Sequence, residues 1–302
     1  MKIGLFGAAV QSGTVDQVID EAKRAERDGF AAYWSSQIFG HDALTLLALV
    51  GREVPRIELG TAVVPTYPRH PMMIAQQCLT VNAAVGGRLC LGIGLSHQIV
   101  IENMMGMSFD KPVRHMREYL TVLQSLNKTG NVSFDGDVYK THAGVSVAGS
   151  QPFGVVVAAL GEQMLRVTAA LADGTLTWCT GPSTLANHTI PVLQRAAEEL
   201  GKPKQRVIAA LPVCVTTKVA EARERASQVF AVYGQLPSYR AMLDKEGAAG
   251  PADIAIVGTA AEVTERIAAL ADIGVTDFAA VEFGGDSDES ANTRAALKTL
   301  LS

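Results

Sequence analysis

The chain has 302 residues, 48% hydrophobic and 19% charged, with a formal net charge of −4. That balance suits a buried parallel sheet wrapped in helices and excludes a disordered chain, while the absence of a long basic run excludes the phosphate-neutralising stripe of a nucleic-acid binder. No stretch approaches the roughly 18 uninterrupted apolar residues of a membrane span, and the apolar start meets Gly7 and Gln11 too early for a signal segment, so a cytoplasmic protein without a membrane partner is expected.

Short β-branched runs alternate with helical patterns from end to end. Residues 1–6 read as strand one, followed by a helix over 14–28 whose apolar face ends at Gly29. Strand two is expected at 31–34, a helix at 43–54 stopped by Pro55, and a continuous apolar strand three at 57–64. A helix over 71–85, with proline in its first turn and Gly86-Gly87 at its end, leads to strand four at 89–95. The rhythm then breaks. Helical patterns at 97–105 and 112–126 precede residues 132–139, whose Asp135-Gly136 pair signals a hairpin, and this block reads as an insertion.

Strand five at 155–159 and strand six at 175–178 follow, with helices over 165–172 and 185–200, and residues 207–216 form strand seven. Helical stretches at 219–233 and 237–246 precede a flexible Gly-Ala-rich link at 247–253. After it come an apolar run at 254–257, a helix over 260–272 and strand eight at 277–283. Eight strands alternating with at least eight helices, and no Gly-x-Gly-x-x-Gly after strand one, favour a (β/α)8 TIM barrel over an open dinucleotide-binding sheet. The expected architecture is one α/β domain over residues 1–302 with an insertion between strands four and five.

In such a barrel the residues just after each strand converge on a ligand. Here they are Ser35, Ser36 and Gln37; Pro65, Thr66, Tyr67, Arg69 and His70; Ser96 and His97; Gly161, Glu162 and Gln163; and Cys179, Thr180, Gly181 and Ser183. The last two loops suit anionic groups held on backbone amides, with plain structural turns as the alternative. Cys78, Cys90, Cys179 and Cys214 lack the spacing of a zinc site or disulfide framework and read as buried reduced thiols, so no metal is expected.

The stretch Ile57-Glu-Leu-Gly-Thr-Ala-Val-Val-Pro65, with Arg69-His70-Pro71, Ala75-Gln76-Gln77 and Gly87-Arg88-Leu89-Cys-Leu-Gly-Ile-Gly94, resembles the luciferase-like monooxygenase family, especially its branch using coenzyme F420. Residues 169–178 and the insertion before strand five fit the same family, so the likeness covers nearly the whole chain. The resemblance implies a deazaflavin, coenzyme F420, or alternatively FMN, in the cavity at the strand C-termini, with a small-molecule substrate and a homodimer. It implies a non-prolyl cis peptide at Ala62-Val63 behind the ring, Ser96 and His97 beside the coenzyme, and Gly161, Glu162, Thr180 and Gly181 around its tail. The family's sugar-phosphate branch carries acidic residues after strands two and four, where this chain has Gln37 and His97.

His97 is the candidate proton donor or acceptor, because imidazole titrates near neutrality and hydride transfer to a carbonyl needs a matching proton; a structural histidine is the alternative. Gln37 is the candidate substrate or coenzyme contact, able to polarise a carbonyl but not to supply a proton, with helix capping as its alternative. Arg69 and His70 rank second as anion contacts. Trp34, Tyr67 and Trp178 are candidate ring walls, and Met104, Met105 and Met107 are expected to pack in the core. The function expected is an F420-dependent oxidoreductase transferring a hydride, with an FMN-dependent monooxygenase and a non-catalytic ligand-binding barrel as alternatives.

Overall fold

The computed structural model describes residues 1–301. Eight parallel strands form its centre: β1 (Lys2–Phe6), β2 (Ala32–Ser35), β3 (Glu58–Thr61), β4 (Leu89–Gly94), β5 (Gly154–Val157), β6 (Gly174–Trp178), β7 (Arg206–Val215) and β8 (Asp277–Glu282). Each pairs with its sequence neighbour, and β8 pairs with β1, so the sheet closes into a barrel. Around it lie α1 (Val15–Asp28), α2 (Ala43–Glu53), α3 (Pro71–Ala84), α4 (Pro112–Thr129), α5 (Glu162–Leu171), α6 (Ile190–Glu199), α7 (Val219–Val229), α8 (Pro237–Glu246), α9 (Ala260–Asp272) and α10 (Ser287–Lys298).

Strand alternation sorts the side chains. Ala32, Trp34, Cys90, Val156, Leu176, Ile208, Ala210 and Ala279 fill the barrel interior, while the residues between them, such as Tyr33, Leu91, Val155 and Ala209, face the helices. Local chemistry sets the helix ends. Thr14 and Gln17 form a reciprocal cap on α1, Gly29 ends that helix with φ 94°, and Asp42 caps α2 through the Thr45 amide.

At the strand N-termini, the Arg206 guanidinium donates to Asp277 at 2.9 and 2.7 Å and to Glu58 at 3.1 and 2.6 Å, and lies 5.7 Å from the Trp34 ring. This ties the starts of β3, β7 and β8 together. A cavity of about 380 Å³ opens here, lined by Arg56, Glu58, Arg88 and Arg206. It lies at the end opposite the loops that follow the strands, and two carboxylates already neutralise its most buried cation.

Several expectations are corrected. Strand three is not continuous: it stops at Thr61 and pairing with β4 resumes only at Val64–Pro65, while the Ala62-Val63 peptide between them is cis, as the family resemblance implies. The hairpin of Asn131–Asp135 with Lys140–Gly144 turns through four residues rather than at Asp135-Gly136. Its physical reason is Glu118 on α4, whose carboxylate accepts from the amides of Asp137, Val138 and Tyr139 at 3.1, 2.7 and 2.9 Å. Burial would raise the Glu118 carboxyl, but those donors outweigh it and hold it below the usual range.

The expected helix over 219–233 breaks at Phe230, giving α7 and a short turn at Ala231–Gln235. The expected flexible link is ordered, with the Asp253 carboxylate capping the amides of Ala249 and Gly250, and residues 251–254 form a helical turn before a short strand at Ile256–Gly258. Met104, Met105 and Met107 are exposed beside a π-helical turn at Ile99–Met104, not in the core. All four cysteines are free and buried.

Gly92 and Gly94 let the interrupted strand lie against β4. A Cβ on Gly92 would sit 2.0 Å from the Thr61 carbonyl oxygen, and one on Gly94 would sit 2.7 Å from Val63 Cγ2. Gly92→Ala is therefore expected to destabilise the fold by about 1–3 kcal/mol in urea unfolding. Gly161→Ala, whose Cβ would meet nothing within 4 Å, should change stability by less than about 0.5 kcal/mol.

Candidate active site at the barrel mouth

The C-terminal ends of β2 to β6 are consecutive around the ring, so the loops carrying Gln37, Ala62 and Val63, Ser96 and His97, Gly161 and Glu162, and Thr180 and Gly181 share one arc of the mouth. Ala62 and Val63 are half-buried and pack with Phe6 and Trp178 on top of the interior cluster. These four residues make an apolar floor open to the mouth. Trp178 points inward at the end of β6, and its buried Nε1 has no hydrogen-bond partner among the described residues.

Ser96 adopts a left-handed backbone with φ 61°, turning the chain out of β4 so that the His97 carbonyl accepts from the amides of Val100 and Ile101. The half-buried His97 ring lies 5.6 Å from the Tyr239 ring at 55°. Burial lowers its pKa below the ordinary histidine value, so the imidazole is neutral at pH 7. Gln37 takes the capping role: its Oε1 accepts from the Ala43 amide at 3.1 Å, at the start of α2.

The two loops that look alike in sequence differ in structure. Gly161 begins α5 with no side-chain cap and with open space above its Cα. Glu162 turns to Arg166, one helical turn on, at 3.1 Å. At the end of β6, by contrast, the Glu246 carboxylate accepts from the amides of Ser183 and Thr184 at 3.0 and 2.6 Å. A Cβ on Gly181 would lie 2.2 Å from Glu246 Cδ, and Thr180 Oγ1 donates back to the Trp178 carbonyl. The anion-accepting amides at Ser183 and Thr184 are thus already taken by a carboxylate of the chain itself, whereas those of α5 are not.

Of the aromatic candidates only Trp178 borders the mouth. Trp34 is 1% exposed inside the barrel, and Tyr67 stacks at 3.9 Å on His115 beside the insertion, where burial pushes the His115 ring down to about 4. Arg69 pairs with Asp42 and Gln77, and His70 Nδ1 caps α3 through the Met72 amide, so both hold loop structure.

Sequence reasoning missed the far side of the mouth. Trp178 meets Phe230 at 5.6 Å and Tyr233 at 5.4 Å; Tyr233 meets Tyr239 at 5.4 Å; and Tyr239 meets His97. These rings come from the segment after strand seven, which carries no motif. The available signal was three aromatics, Phe230, Tyr233 and Tyr239, spaced through one helical stretch. Among the described residues there is no cluster of three or more His, Cys, Asp or Glu able to hold a metal, and no helix is long and apolar enough to cross a membrane.

A family model described as luciferase-like monooxygenase matches residues 1–277. The chain is 28% identical over 224 residues to an F420-dependent glucose-6-phosphate dehydrogenase of Amycolatopsis mediterranei, covering 68% of this chain and 66% of that protein. Its fold matches an F420-dependent secondary alcohol dehydrogenase in complex with an F420-acetone adduct, with a TM-score of 0.82, 19% identity and coverage of 100% and 99% of the two chains. It also matches the FMN-bound oxygenating constituent of 3,6-diketocamphane monooxygenase from Pseudomonas putida, with a TM-score of 0.74, 18% identity and coverage of 99% and 96%.

The geometry of His97 sets a pH expectation. In an NMR titration of the ring its midpoint should lie below about 6.5, and Tyr239→Ala, by exposing the ring, should move it back toward that value. A midpoint at or above the ordinary value in the unaltered protein would contradict the burial assigned here.

Proposed function

Since the chain belongs to the luciferase-like monooxygenase family, we propose that it is an oxidoreductase moving a hydride between coenzyme F420 and a small organic substrate. The observation that carries this reading is the uncapped α5 N-terminus next to an apolar floor whose one buried donor, Trp178 Nε1, lacks a partner. An anionic tail with a planar, polar-edged ring fits that set. The amides of Glu162, Gln163 and Met164 would take the tail, Ala62 and Val63 would back the ring, and Trp178 Nε1 would donate to its polar edge. The Ser183 and Thr184 amides would take no part while Glu246 holds them. A sequence relative named F420-dependent supports the deazaflavin over FMN.

When bound, the deazaflavin supplies the carbon that gives or takes the hydride. This chain's part is orientation and the proton. In the oxidative direction a substrate carbinol carbon loses hydrogen with two electrons, its hydroxyl proton passes to the neutral His97 imidazole, and a C=O bond forms; the reverse returns proton and hydride together. The roof of Tyr233 and Tyr239 keeps water from the reacting atoms. Gln37 acts by fixing the start of α2, and so the loop after β2.

Anaerobic fluorescence titrations with coenzyme F420 and with FMN test this reading. Deazaflavin binding in the micromolar range, at least about tenfold tighter than FMN, is expected. The reverse preference would assign an FMN-dependent monooxygenase, and binding of neither would assign a non-catalytic barrel. His97→Ala should lower kcat by about 10²-fold or more while changing coenzyme affinity by less than about threefold. Because the His97 pKa is depressed, the oxidative rate should stay level as pH falls through about 6.5 and drop only below it.

A further inference from the structure

We infer that the aromatic roof over His97, through Tyr233 and Tyr239, selects neutral, apolar ketones and secondary alcohols and rejects anionic substrates. This rests on the mouth being the substrate site and names the class of molecule it takes. The first observation is continuity. Rings from β6, from the turn after α7, from α8 and from the loop after β4 touch in sequence from Trp178 through Tyr233 and Tyr239 to His97, so a substrate that reaches His97 passes under them.

The second observation is that the charged side chains of the roof helix and of the loop after β4 are paired with other groups or exposed to solvent. The charges carried by the roof helix are engaged elsewhere: Arg240 with Asp244 and the carbonyls of Ala248 and Ala249, and Glu246 with the Ser183 and Thr184 amides. Lys245 is exposed. On the loop after β4, Glu102 is exposed and accepts from Gln98.

A phosphate or carboxylate brought under this roof would lose its water without meeting a cation or a fork of donors, which disfavours it strongly. A neutral molecule loses little. A phenol O–H of the roof can donate to a carbonyl or hydroxyl oxygen. The site thus matches a compact apolar body with one neutral oxygen. Sugar phosphates fall outside that description.

The test compares methyl 4-oxocyclohexanecarboxylate with 4-oxocyclohexanecarboxylate, which share a ring and differ in charge. Binding is read from Trp178 fluorescence in the full chain near pH 7, with and without coenzyme F420; Trp34, inside the barrel, is shielded from the ligand. The ester should bind at least about 30-fold more tightly than the acid. Equal affinities, tighter binding of the acid, or no ester binding in the millimolar range would overturn the inference.

Tyr239→Lys, which puts a cation in the roof, should cut the ester-to-acid ratio by at least about tenfold, whereas Tyr239→Phe should keep the ratio within about threefold while weakening the ester. An unchanged ratio in a folded lysine variant would also overturn it. Should the lysine variant not fold, the ratio in the unaltered chain decides. Because binding is read without turnover, failure of the coenzyme titration would remove the hydride reading and leave this preference measurable.

Discussion

The structure depends on how the N-terminal ends of the barrel strands are tied together. Arg206 is the first residue of β7, Asp277 the first of β8, and Glu58 the first of β3, on the other side of the ring. One guanidinium therefore spans the barrel bottom, and the indole of Trp34 lies beside it. A lone cation there would be costly, since removing one partner from a buried pair leaves the other uncompensated; two carboxylates make it tenable. That end carries an ionic knot beside a cavity of about 380 Å³, and the interior is filled by apolar side chains including Trp34, so the candidate site is built from the loops that follow the strands.

At the open end the chain builds two unlike halves. The arc from β2 to β6 is made of loops with polar tips and uncommitted backbone, including the left-handed Ser96 and the uncapped start of α5. The opposite side is made of rings delivered by the segment between β7 and the short strand at Ile256–Gly258. Glu246 joins the halves. It ends α8 and reaches back to the helical turn at Pro182–Thr184, so the element that carries Tyr239 is fastened to the loop after β6. A carboxylate in that place serves as a cap contributed from more than 60 residues away in sequence.

Much of the fold was legible because barrel strands buried on both faces read as unbroken apolar runs. All eight fall within a few residues of where the runs lie, and Gly29 and Pro71 mark helix ends by local geometry. The errors have a common cause. The four-residue hairpin turn depends on Glu118, the order of residues 247–253 on Arg240 and Asp253, and the exposure of Met104 and Met105 on a π-helical turn. Each is decided by a partner outside the local window or by backbone geometry that composition does not encode. The same holds at the site. Ser96 and His97 were singled out because they follow a strand, and Ala62 and Val63 through the family resemblance, whereas Tyr239 and Glu246 carry neither signal.

By itself the sequence determined the alternation of strands and helices, the insertion after strand four and the strand ends from which a site could be built, because hydrophobic period and strand-end position are properties of the chain read in order; the family, and with it the closed barrel, came from its resemblance over nearly the whole chain. Only the tertiary structure decided what each of those strand ends does. It gave Gln37 to the start of α2, filled the Ser183 and Thr184 amides with Glu246 while leaving those of α5 open, and brought Tyr239 against His97. The physical reason is that hydrogen bonds and ring contacts are pairwise. One partner's chemistry is written at its own position, but whether it is satisfied depends on a second residue whose approach is set by the closed ring.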